Sequence, residues 1–241
     1  MAPRWPKVIG HRGAARHAPE NTLASFRRAA ELGTSWVELD ARLTADGVPI
    51  VFHDSTLERT TGQKGRVRER RWAEIAKLDA GGWFAPSFQG EAVPSLSEAL
   101  ALIASLRLGV NIEIKPDPGD EAETARVVMA TARQIWLDGA TAPLISSFSQ
   151  AALVAAQPLR GDWPLARLAR NLDLAALVDA KALECAALNL GAADLTQKAV
   201  ATAKDAGFGV LVYTVNDRPT AERFFRWGVD GVFTDDPEVL I

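Results

Sequence analysis

The 241-residue chain is 48% hydrophobic and 24% charged, with 27 basic and 30 acidic residues and a formal net charge of −3. That is enough apolar material for one sizeable core, without the basic excess of a nucleic-acid binder or the like-charge run of an interaction tail. No apolar run approaches the ~20 residues of a bilayer-spanning helix, the opening MAPRWPKVIG lacks the apolar region of a signal peptide, and the lone Cys185 has no intrachain disulfide partner, so the expectation is a cytoplasmic protein without stable membrane association.

Short apolar runs alternate with longer amphipathic segments. Strands are predicted at Lys7–Gly10, Ser35–Asp40, Val110–Ile114, Pro143–Ser147, Pro164–Leu168, Ala186–Leu190, Val210–Thr214 and Asp230–Thr234. Helical patterns fall between them, among them Thr22–Leu32, Ser97–Leu106, Glu121–Leu137, Thr196–Ala206 and Pro219–Trp227. Gly33, Gly109, Gly139, Gly207 and Gly228 each follow a helical pattern, where a left-handed terminal residue is expected. Eight strands, each mostly followed by a helix, predict an α/β fold, a parallel sheet closed into a TIM (β/α)8 barrel. An open doubly wound sheet is the alternative the pattern leaves.

Two features interrupt the repeat. After Asp40 the alternation runs on through Leu43, turns at Asp46-Gly47 and resumes at Val48–Phe52. A two-residue Asp-Gly turn would pair Ala45 with Val48 and set Asp40 opposite His53. The segment from about 55 to 93, with Trp72, Trp83, Phe84 and several glycines, is expected to form a small insertion above the barrel mouth within a single domain spanning 1–241.

The chemistry gathers at strand ends. Glu38 and Asp40 alternate onto one face at the C-terminal end of the second strand, where barrel enzymes place their sites. Glu113 occupies the equivalent level of the third. Carboxylates crowded there repel one another unless a cation intervenes, and oxygen donors suit a divalent metal ion, Mg2+, Ca2+ or Mn2+. An E-x-D pair alone is also what a solvated strand edge looks like; Glu113 favours the metal site. His11 ends the first strand and His53 the hairpin return, so two imidazoles flank the carboxylates as an acid–base pair. Arg12 and Lys115 supply a guanidinium fork and a point charge for an anionic phosphoryl group. His17 has no comparable placement and is assigned to a loop. In Pro19-Glu20-Asn21-Thr22, either Asn21 or Thr22 serves as helix N-cap, with Glu20 in reach of Arg12.

HRG at His11–Gly13, PENT at Pro19–Thr22, ELD at Glu38–Asp40, HD at His53–Asp54 and EIK at Glu113–Lys115 follow one another in an order that resembles the glycerophosphodiester phosphodiesterases. LERTTG at Leu57–Gly62, SSF at Ser146–Phe148, VYTVN at Val212–Asn216 and GVDGVFTD at Gly228–Asp235 extend the resemblance over nearly the whole chain. The ordered set is specific where any one motif is weak. The resemblance implies a TIM barrel with an insertion after HD, and a magnesium or calcium ion held by Glu38, Asp40 and Glu113. It implies His11 and His53 as acid and base, Arg12 and Lys115 near phosphate, and release of sn-glycerol 3-phosphate and an alcohol from a small glycerophosphodiester. Phe148 and Tyr213, the latter where the family often has tryptophan, either line the substrate pocket or pack the core. Attack by the glycerol 2-hydroxyl through a cyclic phosphate and direct attack by water use the same residues. Lipid-cleaving relatives of the same barrel, and a non-catalytic binding module, are the rival readings; the first needs an apolar rim, the second the freedom to lose ligands. A homodimer through the outer helices or the insertion is one option for assembly.

Overall fold

The computed structural model describes residues 4–136 and 141–241, so Gly139 and the predicted helix end at Leu137 lie outside the described residues. Among the described residues nine strands form: β1 Val8–Gly10, β2 Trp36–Leu43, β3 Pro49–Val51, β4 Gly109–Ile114, β5 Leu144–Ser147, β6 Leu165–Ala169, β7 Ala187–Gly191, β8 Gly209–Tyr213 and β9 Gly231–Thr234. All but β3 run parallel, in the order β1-β9-β8-β7-β6-β5-β4-β2, and the pairing of β1 with β2 closes the barrel. β3 adds antiparallel to β2. The fold is the TIM barrel that the alternation predicts, and each predicted strand lies within a residue or so of an observed one except where β2 runs on into the hairpin.

Alternation along β2 explains both the barrel and its site. Val37, Leu39 and Ala41 face the surrounding helices and join the main core with Phe26, Leu100, Ile103 and Val128. On the other face, Trp36 belongs to a separate cluster filling the barrel interior with Ile9, Leu144, Ala166, Leu211 and Phe233. Two and four residues further along that inner face come Glu38 and Asp40. The interior thus changes from apolar to anionic along one strand, with every residue of β2 buried. The helix Leu96–Ser105 starts at a capping box, Ser95 accepting from the Glu98 amide while the Glu98 carboxylate accepts from the Ser95 amide.

Two local expectations are corrected. The hairpin register is one residue off: Ala41 pairs with Val51 and Arg42 with Ile50, so Asp40 lies opposite Phe52, whose amide donates to the Asp40 carbonyl at 2.9 Å. The turn is not two-residue. Thr44 accepts from Gly47 and donates to Val48, and of the turn residues only Gly47 takes a positive φ, 74°. The insertion enforces this, because Ala45 donates to the Arg70 carbonyl and Asp46 accepts from the Trp72 amide. Gly109 is not a helix terminus. Arg107 takes the left-handed position, φ 57°, and Gly109 opens β4 against the indole of Trp36, where a Cβ would come within 2.3 Å of the ring.

Residues 50–93 carry their own small core of Ile50, Phe52, Leu57, Val67, Ile75, Ala80 and Val93. The pairing of β3 with β2 ties it to the barrel, and the isolated bridges Thr56–Arg66 and Asp79–Ala92 hold it together internally. Among the described residues, no helix is long and apolar enough to cross a membrane.

Candidate active site

Glu38, Asp40 and Glu113 converge from β2 and β4, with one carboxylate oxygen of each lying within 4.8 Å of the others. The β2–β4 register, which sets Asp40 beside Glu113, brings them together. All three are buried, at 4%, 1% and 9% exposure. Burial and the charges of Asp40 and Glu113 push Glu38 well above the ordinary carboxylate range. Burial and Asp40 push Glu113 up to about 7. Burial opposes ionisation of Asp40 too, but Lys115, Arg12 and His53 outweigh it and hold Asp40 below the usual range. Such a cluster cannot hold three negative charges unaided at neutral pH, and hard oxygen donors are the ligands that magnesium or calcium prefers.

The cations are built in from two strand ends. Lys115, one residue past β4, donates from Nζ to Glu113 Oε1 at 2.9 Å and lies 3.5 Å from Asp40 Oδ1. Arg12 stands past β1 in a left-handed conformation, φ 51°. This turns its amide onto Glu38 Oε2 at 2.8 Å while its guanidinium reaches Glu20 Oε1 at 2.7 Å. Its Nε sits 3.4 Å from Asp40 Oδ2, buried and without a hydrogen-bond partner among the described residues, a donor available to an anion. Asn21, also left-handed at φ 57°, donates from Nδ2 to Asp40 Oδ2 at 2.8 Å. Thr22 is the N-cap of the helix Leu23–Glu31 and accepts from the Ser25 amide, which leaves Asn21 for the carboxylate.

Both histidines are oriented by carboxylates. His11 Nδ1 lies 2.6 Å from Asp235 Oδ1, and its Nε2 lies 3.9 Å from Glu38 Oε2. His53 Nδ1 lies 2.6 Å from Asp54 Oδ1. Asp235 and Asp54 both titrate below the normal range: burial opposes this, but their hydrogen-bond partners outweigh it and bring Asp54 to about 2. Ionised carboxylates only accept, so each Nδ1 carries the proton and each Nε2 is left as the ring's second polar atom. Burial, with Arg12 and Lys115, lowers the His53 pKa below its usual 6.5 despite Asp40 and Asp54.

His11, Arg12, Glu38, His53, Glu113, Lys115, Phe148 and Tyr213 line one cavity at the C-terminal end of the barrel, with Asp40 behind them. Phe148 and Tyr213 meet edge to face, centroids 5.9 Å apart, and the Tyr213 hydroxyl donates to the Ala169 carbonyl at 3.0 Å. Sequence reasoning gave no part to Asp235, Asn216 or Arg59. Asn216 donates to Asp235 Oδ2 at 2.8 Å. Asn111 and Asn189 form a polar floor, and Asn111 donates to the Ser146 hydroxyl at 2.9 Å. Asn111 was findable, since it precedes Glu113 by two on the same face of β4. His17 lies in its loop as expected and pairs with Asp236 at 2.8 Å.

The profile of the glycerophosphoryl diester phosphodiesterase family matches residues 11–239. A glycerophosphodiester phosphodiesterase of Caldanaerobacter subterraneus subsp. tengcongensis is 36% identical over 97% of this chain and 96% of its own. An Oleispira antarctica phosphodiesterase, solved with the product sn-glycerol 3-phosphate, superposes with a TM-score of 0.93 at 37% identity, over 97% of this chain and 94% of that one. The glycerophosphodiester phosphodiesterase of Agrobacterium tumefaciens C58 superposes with a TM-score of 0.79 at 31% identity, over 98% of both chains.

Proposed function

The chain belongs to the glycerophosphoryl diester phosphodiesterase family, and from that membership we propose that it hydrolyses glycerophosphodiesters to sn-glycerol 3-phosphate and an alcohol by metal-dependent, two-histidine catalysis. The observation that carries the reading is the convergence of three buried carboxylates with two histidines and two cations on one cavity. Glu38, Asp40 and Glu113 would hold one divalent ion, magnesium or calcium, with manganese an acceptable substitute. When bound, the ion neutralises the carboxylates and polarises the phosphoryl oxygens.

The chain's own groups supply the rest. Arg12, through its spare Nε–H, and Lys115 hold the phosphodiester oxygens and offset charge that grows on them as the nucleophile adds. His53, kept neutral by its lowered pKa, takes the proton of the attacking oxygen at Nε2. Asp54 fixes the opposite nitrogen as donor and favours the imidazolium that results. His11, oriented in the same way by Asp235, gives a proton to the departing alcohol. Whether the nucleophile is the glycerol 2-hydroxyl or water, the same pair serves. Phe148 and Tyr213 offer an aromatic wall to the glycerol or alcohol portion.

A base with a lowered pKa stays deprotonated to lower pH. The acid limb of kcat/KM is therefore expected below pH 6.5, the unperturbed imidazole value. Release of sn-glycerol 3-phosphate from glycerophosphocholine and glycerophosphoethanolamine, followed from pH 5 to 9, tests this. Release from both with that limb supports the reading. Absence of release throughout, from folded protein, would shift it to lysophospholipid substrates, for which the half-exposed Trp83, edge to face with Phe84, offers an apolar rim.

A further inference from the structure

Arg59 lies outside the cavity, on the short helix Glu58–Thr61 of the insertion. Its guanidinium nevertheless holds two carboxylates that belong to opposite arms of the site. Nε and Nη2 donate to Asp54 at 2.6 and 3.2 Å, and Nη1 and Nη2 donate to Glu20 at 2.6 and 2.7 Å. Asp54 holds His53 on the hairpin arm. Glu20 holds Arg12 on the arm that follows β1. The result is a line of alternating charge from Asp54 through Arg59, Glu20 and Arg12 to Asp40, with the neutral His53 imidazole held at its Asp54 end. Apart from Arg59 itself, its members sit on the loops after β3 and β1 or in the barrel wall.

We propose that Arg59 is a positioning residue that clasps the His53–Asp54 arm to the Glu20–Arg12 arm, setting the proton-transferring imidazole and the phosphate-binding guanidinium at a fixed separation. The proposal rests on the functional reading above. Two bidentate grips on one planar group fix both distance and orientation, which a lysine cannot do. The insertion has a mechanical reason to be ordered: the Glu58 carboxylate accepts from the Gly65 amide at 3.0 Å and closes the loop that carries Arg59. Arg59 is 44% exposed on its side chain, and exposed ion pairs contribute little to global stability. Its loss should therefore appear in turnover, where a misplacement of about 1 Å can cost about 10²-fold.

The test is Arg59→Gln in the metal-loaded enzyme with glycerophosphocholine. The clasp predicts kcat lower by about 10²-fold, KM changed far less because Arg12 keeps Glu20 and Asp40, and an unaltered melting temperature. Arg59→Lys should recover only part of kcat. Adding Arg59→Gln to Asp54→Asn should cost little more than Asp54→Asn alone, since the loss of that carboxylate already breaks the linkage. Near-parental kcat in Arg59→Gln would overturn the proposal, as would a loss matched by a fall in melting temperature and restored in full by lysine. Histidine-ring NMR on the metal-free protein gives a readout independent of substrate. In Arg59→Gln the His53 ring signals should shift while those of His17 stay in place; unmoved His53 signals would also overturn the clasp. If the parent protein releases no glycerol 3-phosphate while the His53 signals still move, the functional reading fails and the clasp stands as a structural linkage.

Discussion

Replacing Glu38 or Glu113 by alanine is expected to abolish turnover at low metal concentration, with part of it restored by excess metal. Each carboxylate supplies an oxygen to one cluster less than 4.8 Å across. An outer contact of a metal site commonly costs ~10–100-fold in affinity, so loss of a direct ligand should exceed that. The two variants should differ. Glu38 also accepts from the Arg12 amide, so Glu38→Ala releases the left-handed turn that aims the guanidinium. Glu113→Ala frees Lys115 to pair with Asp40 alone. Excess metal should therefore restore Glu113→Ala further than Glu38→Ala. Titration of metal binding by calorimetry, beside activity at saturating metal, separates affinity from chemistry. Undiminished metal affinity in both variants would remove the carboxylate cluster from the account.

His53→Ala should show the complementary pattern, with metal binding largely intact and kcat/KM lower by about 10²–10⁴-fold, the usual contribution of general acid–base catalysis. The imidazole touches no carboxylate of the cluster; its hydrogen bond is to Asp54. What is lost is the proton acceptor with the acid limb below pH 6.5. The limb should disappear from the residual pH profile. Near-normal turnover by His53→Ala, or a residual profile with the parental limb, would make the acid–base assignment wrong.

The parts of the site legible in the sequence are those set by short-range periodicity. Glu38 and Asp40 share a face because strand side chains alternate, and the parallel pairing of β2 with β4 puts Glu113 beside Asp40. The parts hidden from it depend on contacts remote in sequence. The hairpin register slipped by one because Ala45 bonds to Arg70, a residue no local turn rule includes. The partner of His11 is Asp235, 224 positions away, adjacent only because β9 closes against β1. A carboxylate one residue past the last barrel strand is the signal that could have found it. Asn21 looked like a cap because its neighbours open a helix; its left-handed backbone turns it to Asp40 instead. Arg59 stayed invisible because its meaning lies in the two carboxylates it joins, from the loop after β1 and the return of the hairpin.

The most direct test of the central claim is release of sn-glycerol 3-phosphate from glycerophosphocholine by protein stripped with EDTA and then supplied with magnesium, calcium or manganese. The account predicts no release from the stripped protein and recovery with at least one of the ions. Full activity in EDTA from protein shown to be metal-free would contradict it, because Glu38, Asp40 and Glu113 would then serve a site that needs no ion.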